Sequence, residues 1–169
     1  MKFLGFLLAF VLLAAPASVY DFKLKTIDGD DFSLAKFKGK KILIVNTASK
    51  CGYTPQYTDL QKLSELYKDK LVVIGFPANN FANQEPGTVA DIKACTATHN
   101  VKFTITEKIS VKGTDIAPLF KYLTEAENPD FKGEIKWNFE KFLLDENGKL
   151  LHRYRSATVP LDPSITSKI

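Results

Sequence analysis

Lys41-Ile42-Leu43-Ile44-Val45-Asn46 and Leu71-Val72-Val73-Ile74-Gly75-Phe76 are two short apolar runs, and what separates them decides the fold. Each is rich in β-branched residues and lacks polar alternation, the pattern of a strand covered on both faces. Between them, Thr54-Pro55 reads as an N-cap followed by proline at the first helical position. Tyr57, Leu60, Leu63 (with Leu66) and Tyr67 then recur at helical spacing up to Lys70. Strand, helix and strand joined by short links make a right-handed βαβ unit with parallel strands.

Upstream, Phe22 to Ile27 alternates polar and apolar residues, Asp28-Gly29 turns, and Asp30 to Ser33 returns, which predicts a hairpin. Downstream, the polar stretch from Pro77 to Gly87 reads as an irregular loop. A short helix from Thr88 to Thr98 carries Cys95, and another is predicted from Asp115 to Thr124. Lys141 to Asp145 and Leu150 to Tyr154 flank Asn147-Gly148, a strong hairpin signal. A closing helix starts near Pro163 and is expected to be short. This order predicts an α/β chain on the thioredoxin-like plan: a central mixed sheet with helices on both faces and an extra N-terminal β-hairpin.

The length of 169 residues suits one domain and buries a core without metal or disulfide staples. A net charge of +4 is spread over scattered lysines. The densest basic run, Lys36 to Lys41, is broken by Phe37 and Gly39 and reads as a solvated connection into a strand. No basic stripe with interleaved aromatics is present, which argues against a nucleic-acid partner. At the N-terminus, Lys2, the apolar run Phe3 to Ala15 and Ala15-Pro16-Ala17 have the layout of a cleaved secretory signal peptide over residues 1–17. The apolar stretch is shorter than the roughly 18 residues of a spanning helix, so no stable membrane anchor is expected. The domain is then residues 18–169, exported to a periplasm or secreted.

Cys51 and Cys95 are the two cysteines, and an exported chain invites a structural disulfide between them. Closing so long a loop would stabilise the fold by roughly 4 kcal/mol in the chain-entropy model. The competing reading is chemical. Cys51 lies after a buried strand and before a helix, at the end of a sheet where α/β proteins build sites. Free N–H groups and the helix dipole there favour a nucleophilic thiolate. In Cys51-Gly52-Tyr53-Thr54 a threonine stands where a dithiol exchanger would carry its second cysteine, so a single-cysteine nucleophile remains. Cys95 and His99 share a helix face, but His152 belongs to a hairpin strand and no local ligand pair exists, so no metal is expected. His99 reads as a surface residue within possible reach of Cys95.

Three longer motifs bear on that choice. Asn46-Thr47-Ala48-Ser49-Lys50-Cys51-Gly52-Tyr53-Thr54 resembles the peroxidatic motif of the glutathione peroxidase family. Phe76 to Gly87, reading FPANNFANQEPG, is similar to its second motif, and Ile135 to Leu143, reading IKWNFEKFL, to its third. The resemblance runs from about Tyr20 to the C-terminus. It implies a thiol peroxidase in which Cys51, Gln84, Trp137 and Asn138 form a catalytic tetrad. Amide and indole N–H groups suit a thiolate and a departing peroxide oxygen. Cys95 is similar to the resolving cysteine of the thioredoxin-dependent branch. The resemblance therefore implies a hydroperoxide substrate, a thioredoxin-like protein or glutathione as reductant, and no metal, haem or flavin cofactor. The family's tetramer-forming insertion is missing between Glu125 and Ile135, so a monomer is expected. Ala78-Asn79-Asn80 departs from the Cys-Asn-Gln of many members, which removes one candidate thiol and puts the pocket beside Gln84 in question.

Overall fold

The computed structural model describes residues 18–169; the leader expected over residues 1–17 lies outside the described residues. Strands β1 (Lys23–Lys25) and β2 (Asp31–Ser33) pair antiparallel as a separate small hairpin, with Leu24 opposite Phe32. The main sheet is built from β3 (Lys41–Thr47), β4 (Leu71–Pro77), β5 (Thr104–Ile105), β6 (Lys141–Leu144) and β7 (Leu150–Tyr154), in the spatial order β5-β4-β3-β6-β7. β3, β4 and β5 are parallel, while β6 and β7 run antiparallel to their neighbours. Among the described residues there are four α-helices: α1 (Gln56–Leu66), α2 (Val89–Thr98), α3 (Pro118–Glu125) and α4 (Pro163–Thr166).

The unbroken apolar run of β3 follows from its central place. Ile42 and Ile44 pack with Phe120, Leu123 and Phe142 on one face. Leu43 and Val45 pack with Tyr57, Leu60 and Leu63 of α1, Ile92 of α2 and Ile165 of α4 on the other. Both faces are therefore apolar, and successive side chains serve opposite layers. The hairpin, through Phe22 and Phe32, joins the first of these two clusters.

Several boundaries differ from the sequence expectation, each for a local reason. Thr54 does not cap α1; its Oγ1 accepts from the Cys51 N–H at 3.0 Å and donates to the Ala48 oxygen at 2.9 Å, inside the preceding loop. α1 stops at Leu66 rather than Lys70, because the Tyr67 oxygen turns to accept from Lys70 and Leu71 N–H groups as the chain enters β4. α3 begins at Pro118 rather than Asp115, since a residue preceding proline avoids the helical region and Ala117 is extended. β1 ends at Lys25 rather than Ile27, because the Ile27 N–H is taken by the Ile105 oxygen. That contact involves β5, whose two residues are too few to show a period in the sequence. Gly75 admits β5: a Cβ there would sit 2.7 Å from Ile105 Cδ1. The Lys36 to Lys41 run is partly a 3-10 turn, Leu34–Phe37, with Ser33 as its cap.

Candidate active site

The loop after β3 carries Cys51, which is 8% exposed. Four hydrogen bonds fix this loop. Thr54 ties both ends as described, and the Thr54 N–H donates to the Cys51 oxygen at 3.0 Å. The Tyr53 N–H donates to Cys51 Sγ at 3.4 Å, an N–H aimed at the atom that holds negative charge in the nucleophilic form. Thus the threonine in place of a second cysteine builds the turn that presents the first.

Gln84, Trp137 and Asn138 come from the loop after β4 and the turn before β6. Asn138 Nδ2 donates to Gln84 Oε1 at 3.0 Å, leaving the Gln84 amide N–H groups free for another partner. The Lys50 N–H donates to the Gln84 oxygen at 3.0 Å, which fastens the Gln84 loop to the residue beside Cys51. Trp137 is 37% exposed and its ring lies 5.7 Å from that of Phe81. Asn138 is fully buried and its Oδ1 has no partner. Among the described residues the three are joined to the Cys51 loop through Lys50 and to one another, with no direct hydrogen bond to Cys51 Sγ.

Asn46 and Glu140 organise this turn, and the sequence reading passed over both. Asn46 Nδ2 donates to the Trp137 oxygen at 3.1 Å, its Oδ1 accepts from the Glu140 N–H at 3.0 Å, and its main-chain oxygen accepts from the Phe139 N–H. Phe139 has φ +65°, a left-handed conformation costly for an aromatic residue and held by these bonds. Glu140 Oε1 accepts from the Lys136 N–H at 2.7 Å and from Arg155 at 2.6 Å. Its Oε2 accepts from Arg153 Nη2 at 3.0 Å, and both side chains of that pair are fully buried. The signal was present: a polar residue closing an apolar strand, and an arginine inside β7.

Cys95 lies in α2, half-buried, and its Sγ–H points at the Ser49 oxygen 3.9 Å away. Both cysteines are free thiols. The Ser49 hydroxyl donates to Glu85 Oε2 at 3.1 Å. Burial raises the Glu85 carboxyl above the usual carboxylate range, against the opposing Ser49 hydrogen bonds and Lys108 charge. Lys108 Nζ holds this loop by donating to the Glu85 and Gly87 oxygens at 2.9 and 2.7 Å. His99 Nδ1 lies 3.1 Å from Thr58 Oγ1 of α1. The Asn80 amide donates to Ser110 Oγ and the Lys112 oxygen and accepts from the Val111 N–H.

Comparisons with known proteins bear on the family and the fold. The family model described as glutathione peroxidase matches residues 19–124. A glutathione peroxidase homolog BsaA of Halalkalibacterium halodurans is 47% identical over 146 residues, covering 85% of this chain and 93% of that protein. The glutathione peroxidase-like peroxiredoxin 2 of Saccharomyces cerevisiae is 47% identical over 156 residues, covering 89% and 96%. Among solved structures, the apo form of Trgpx superposes with a TM-score of 0.72 at 37% identity, covering 91% of this chain and 94% of that one. With a thioredoxin-like sheet, three motifs brought to one end of it and relatives matched along nearly their whole length, the chain belongs to the glutathione peroxidase family.

Proposed function

We propose that this thiol peroxidase uses Cys51 as its peroxidatic nucleophile and Cys95 to resolve the oxidised form. The Cys51 thiolate attacks one peroxide oxygen, the O–O bond breaks, and the other oxygen leaves as alkoxide or hydroxide and is protonated to alcohol or water. Cys51 is left as a sulfenic acid. Free donors on Gln84 and the Trp137 indole stabilise the thiolate and the charge on the departing oxygen, while Asn138 orients Gln84. Cys95 then displaces the sulfenic oxygen as water and forms a disulfide, which an external dithiol or thiol reduces.

The observation that carries this reading is the Asn138–Gln84 hydrogen bond, with Gln84 fastened to the neighbour of Cys51. Cys95 is supported by its contact with Ser49, two residues before Cys51. The leader-like N-terminus supports export, and we propose that a monomer works outside the cytoplasm with a thioredoxin-like donor preferred over glutathione. Steady-state turnover of hydrogen peroxide with thioredoxin and with glutathione tests the pathway. A faster thioredoxin reaction that needs Cys95 supports it, and equal rates from both donors with or without Cys95 would sink the resolving role.

A further inference from the structure

We propose that Glu85 is the base that receives the thiol proton of Cys95 in the resolving step, with Ser49 holding its carboxylate in place; this rests on Cys95 being the resolving residue. Ser49 is the shared contact. Its hydroxyl donates to Glu85 Oε2 at 3.1 Å, and its carbonyl oxygen accepts from Cys95 Sγ–H at 3.9 Å. Glu85 is 1% exposed, and its Oε1 is buried with no hydrogen-bond partner. A carboxylate oxygen taken from water and left unpaired is costly unless it serves a proton or a polar group that arrives later.

The surroundings lead to the same group. Tyr57 Oη and Thr47 Oγ1 are buried near each other at a geometry that completes no hydrogen bond. Burial raises the Tyr57 hydroxyl well above its ordinary value, Thr47 opposes this, and Glu85 and Cys95 raise it further. Both groups thus act on one hydroxyl behind the Cys51 loop. The charges facing Glu85 are Lys108, which favours its ionised form, and Asp91 of α2, which opposes it. His99, just past the end of α2, is engaged with Thr58.

The chemistry calls for such a base. An ordinary thiol is mostly protonated at neutral pH, and only its thiolate attacks sulfur efficiently. Glu85, raised above the usual carboxylate range by burial, is a stronger base for that transfer than an exposed carboxylate. In the step, the Cys95 S–H bond breaks, its proton passes to the Glu85 carboxylate, and its sulfur bonds to Cys51 Sγ. The Cys51 S–O bond breaks, and hydroxide leaves and takes up that proton to give water. Cys95 sulfur is oxidised, the sulfenic sulfur is reduced, and Glu85 returns to its starting form.

The test follows oxidation and disulfide formation separately, by alkylation quench and mass spectrometry after one equivalent of hydrogen peroxide, across about pH 5.5 to 9. In Glu85→Gln the ratio of disulfide formation to Cys51 oxidation should fall about 10²-fold at neutral pH, the scale of a lost general base. It should recover about tenfold per pH unit as solution hydroxide supplies the thiolate. Glu85→Asp should retain part of the wild-type rate. A wild-type ratio in Glu85→Gln, or a deficit equal at every pH, overturns the proposal. Should Glu85→Gln not fold, Ser49→Ala serves. Loss of its donor should move the acid limb of the resolving-rate profile to higher pH, and an unmoved limb overturns the assignment. Failure of the underlying reading looks different: wild type itself would form no intramolecular disulfide.

Discussion

Asn46 Nδ2 donates to the main-chain oxygen of Trp137 at 3.1 Å, so a polar residue near the end of β3 holds the turn that carries two of the proposed catalytic side chains. Asn46 is fully buried and also accepts from Glu140, so its removal leaves the buried Glu140 N–H and the part-buried Trp137 carbonyl without that partner. Asn46→Ala should cost about 2 to 4 kcal/mol of stability, from two lost hydrogen bonds with desolvated groups left behind. Peroxide consumption should fall with it, because Trp137 and Asn138 lose their support. Denaturant unfolding and stopped-flow peroxide assays read the two effects; an unchanged rate would show that the clamp does not serve the site.

Cys51→Ser should abolish peroxide turnover with the fold intact, because the hydroxyl is neither ionised at working pH nor oxidised to a sulfenic state. Circular dichroism checks the fold. Substantial activity in this variant would remove Cys51 from the mechanism.

Trp137→Phe keeps the ring against Phe81 and deletes the indole N–H. Loss of one such donor costs about 10²- to 10³-fold when the bond is made in the transition state. A rate with hydrogen peroxide equal to wild type would assign Trp137 to packing alone.

After one equivalent of hydrogen peroxide, wild type should show an intramolecular disulfide by mass, and Cys95→Ser a sulfenic acid at Cys51. α2 buries only Ile92 and Thr96, so a local opening that brings Cys95 to Cys51 breaks few apolar contacts. A structural disulfide would instead make Cys95→Ser less stable under oxidising conditions. Thermal melts decide between them.

The βαβ unit was legible because β3 and β4 are buried on both faces and α1 on one, so period and burial agree. β5 was not, since two residues carry no period and its place depends on Gly75. Of the site, Cys51, Gln84, Trp137 and Asn138 were named from motifs, while Asn46, Glu140 and Arg153 were not. Their roles depend on partners about 91, 4 and 13 positions away in the chain, such as Asn46 with Trp137 and Arg153 with Glu140, and only the fold brings these together. The Thr54 cap was misread for a related reason: an N-cap and a loop clamp use the same hydroxyl.

Lys141 is fully buried, with Nζ donating to the Phe139 oxygen at 2.7 Å, and burial lowers its amine to about 7 while the Glu140 charge opposes. An unfolded lysine titrates near ~10.4, so between these values the unfolded chain binds more protons. The penalty is therefore complete below about pH 7 and is relieved as pH rises toward about 10. Lys141→Met should raise stability by about 1 to 3 kcal/mol at acid pH, the relief being offset by an unpaired Phe139 carbonyl. Urea unfolding on both sides of neutrality should show the gain shrinking as pH rises. A constant gain would contradict the titration.

Glu140→Gln leaves Arg153 buried without its counter-charge, and should cost about 3 to 5 kcal/mol. Mutating both residues to apolar ones of similar volume should cost less than the single change. Equilibrium unfolding of wild type and the two variants checks the comparison.

Gly148, with φ +81°, turns the chain between β6 and β7 so tightly against Val19 that a Cβ would come within 2.6 Å of Val19 Cγ2. The Tyr20 hydroxyl donates to the neighbouring Glu146 oxygen, and the Gly39 N–H, just before β3, does the same. This turn therefore lies at the start of β3, and Cys51 lies past its end, a seven-residue strand or about 20 Å away. Ser18 thus lies at the pole opposite the Cys51 sulfur. A fluorophore, an affinity handle or a bead coupled ahead of Ser18 would leave the end of the sheet that carries Cys51 unobstructed.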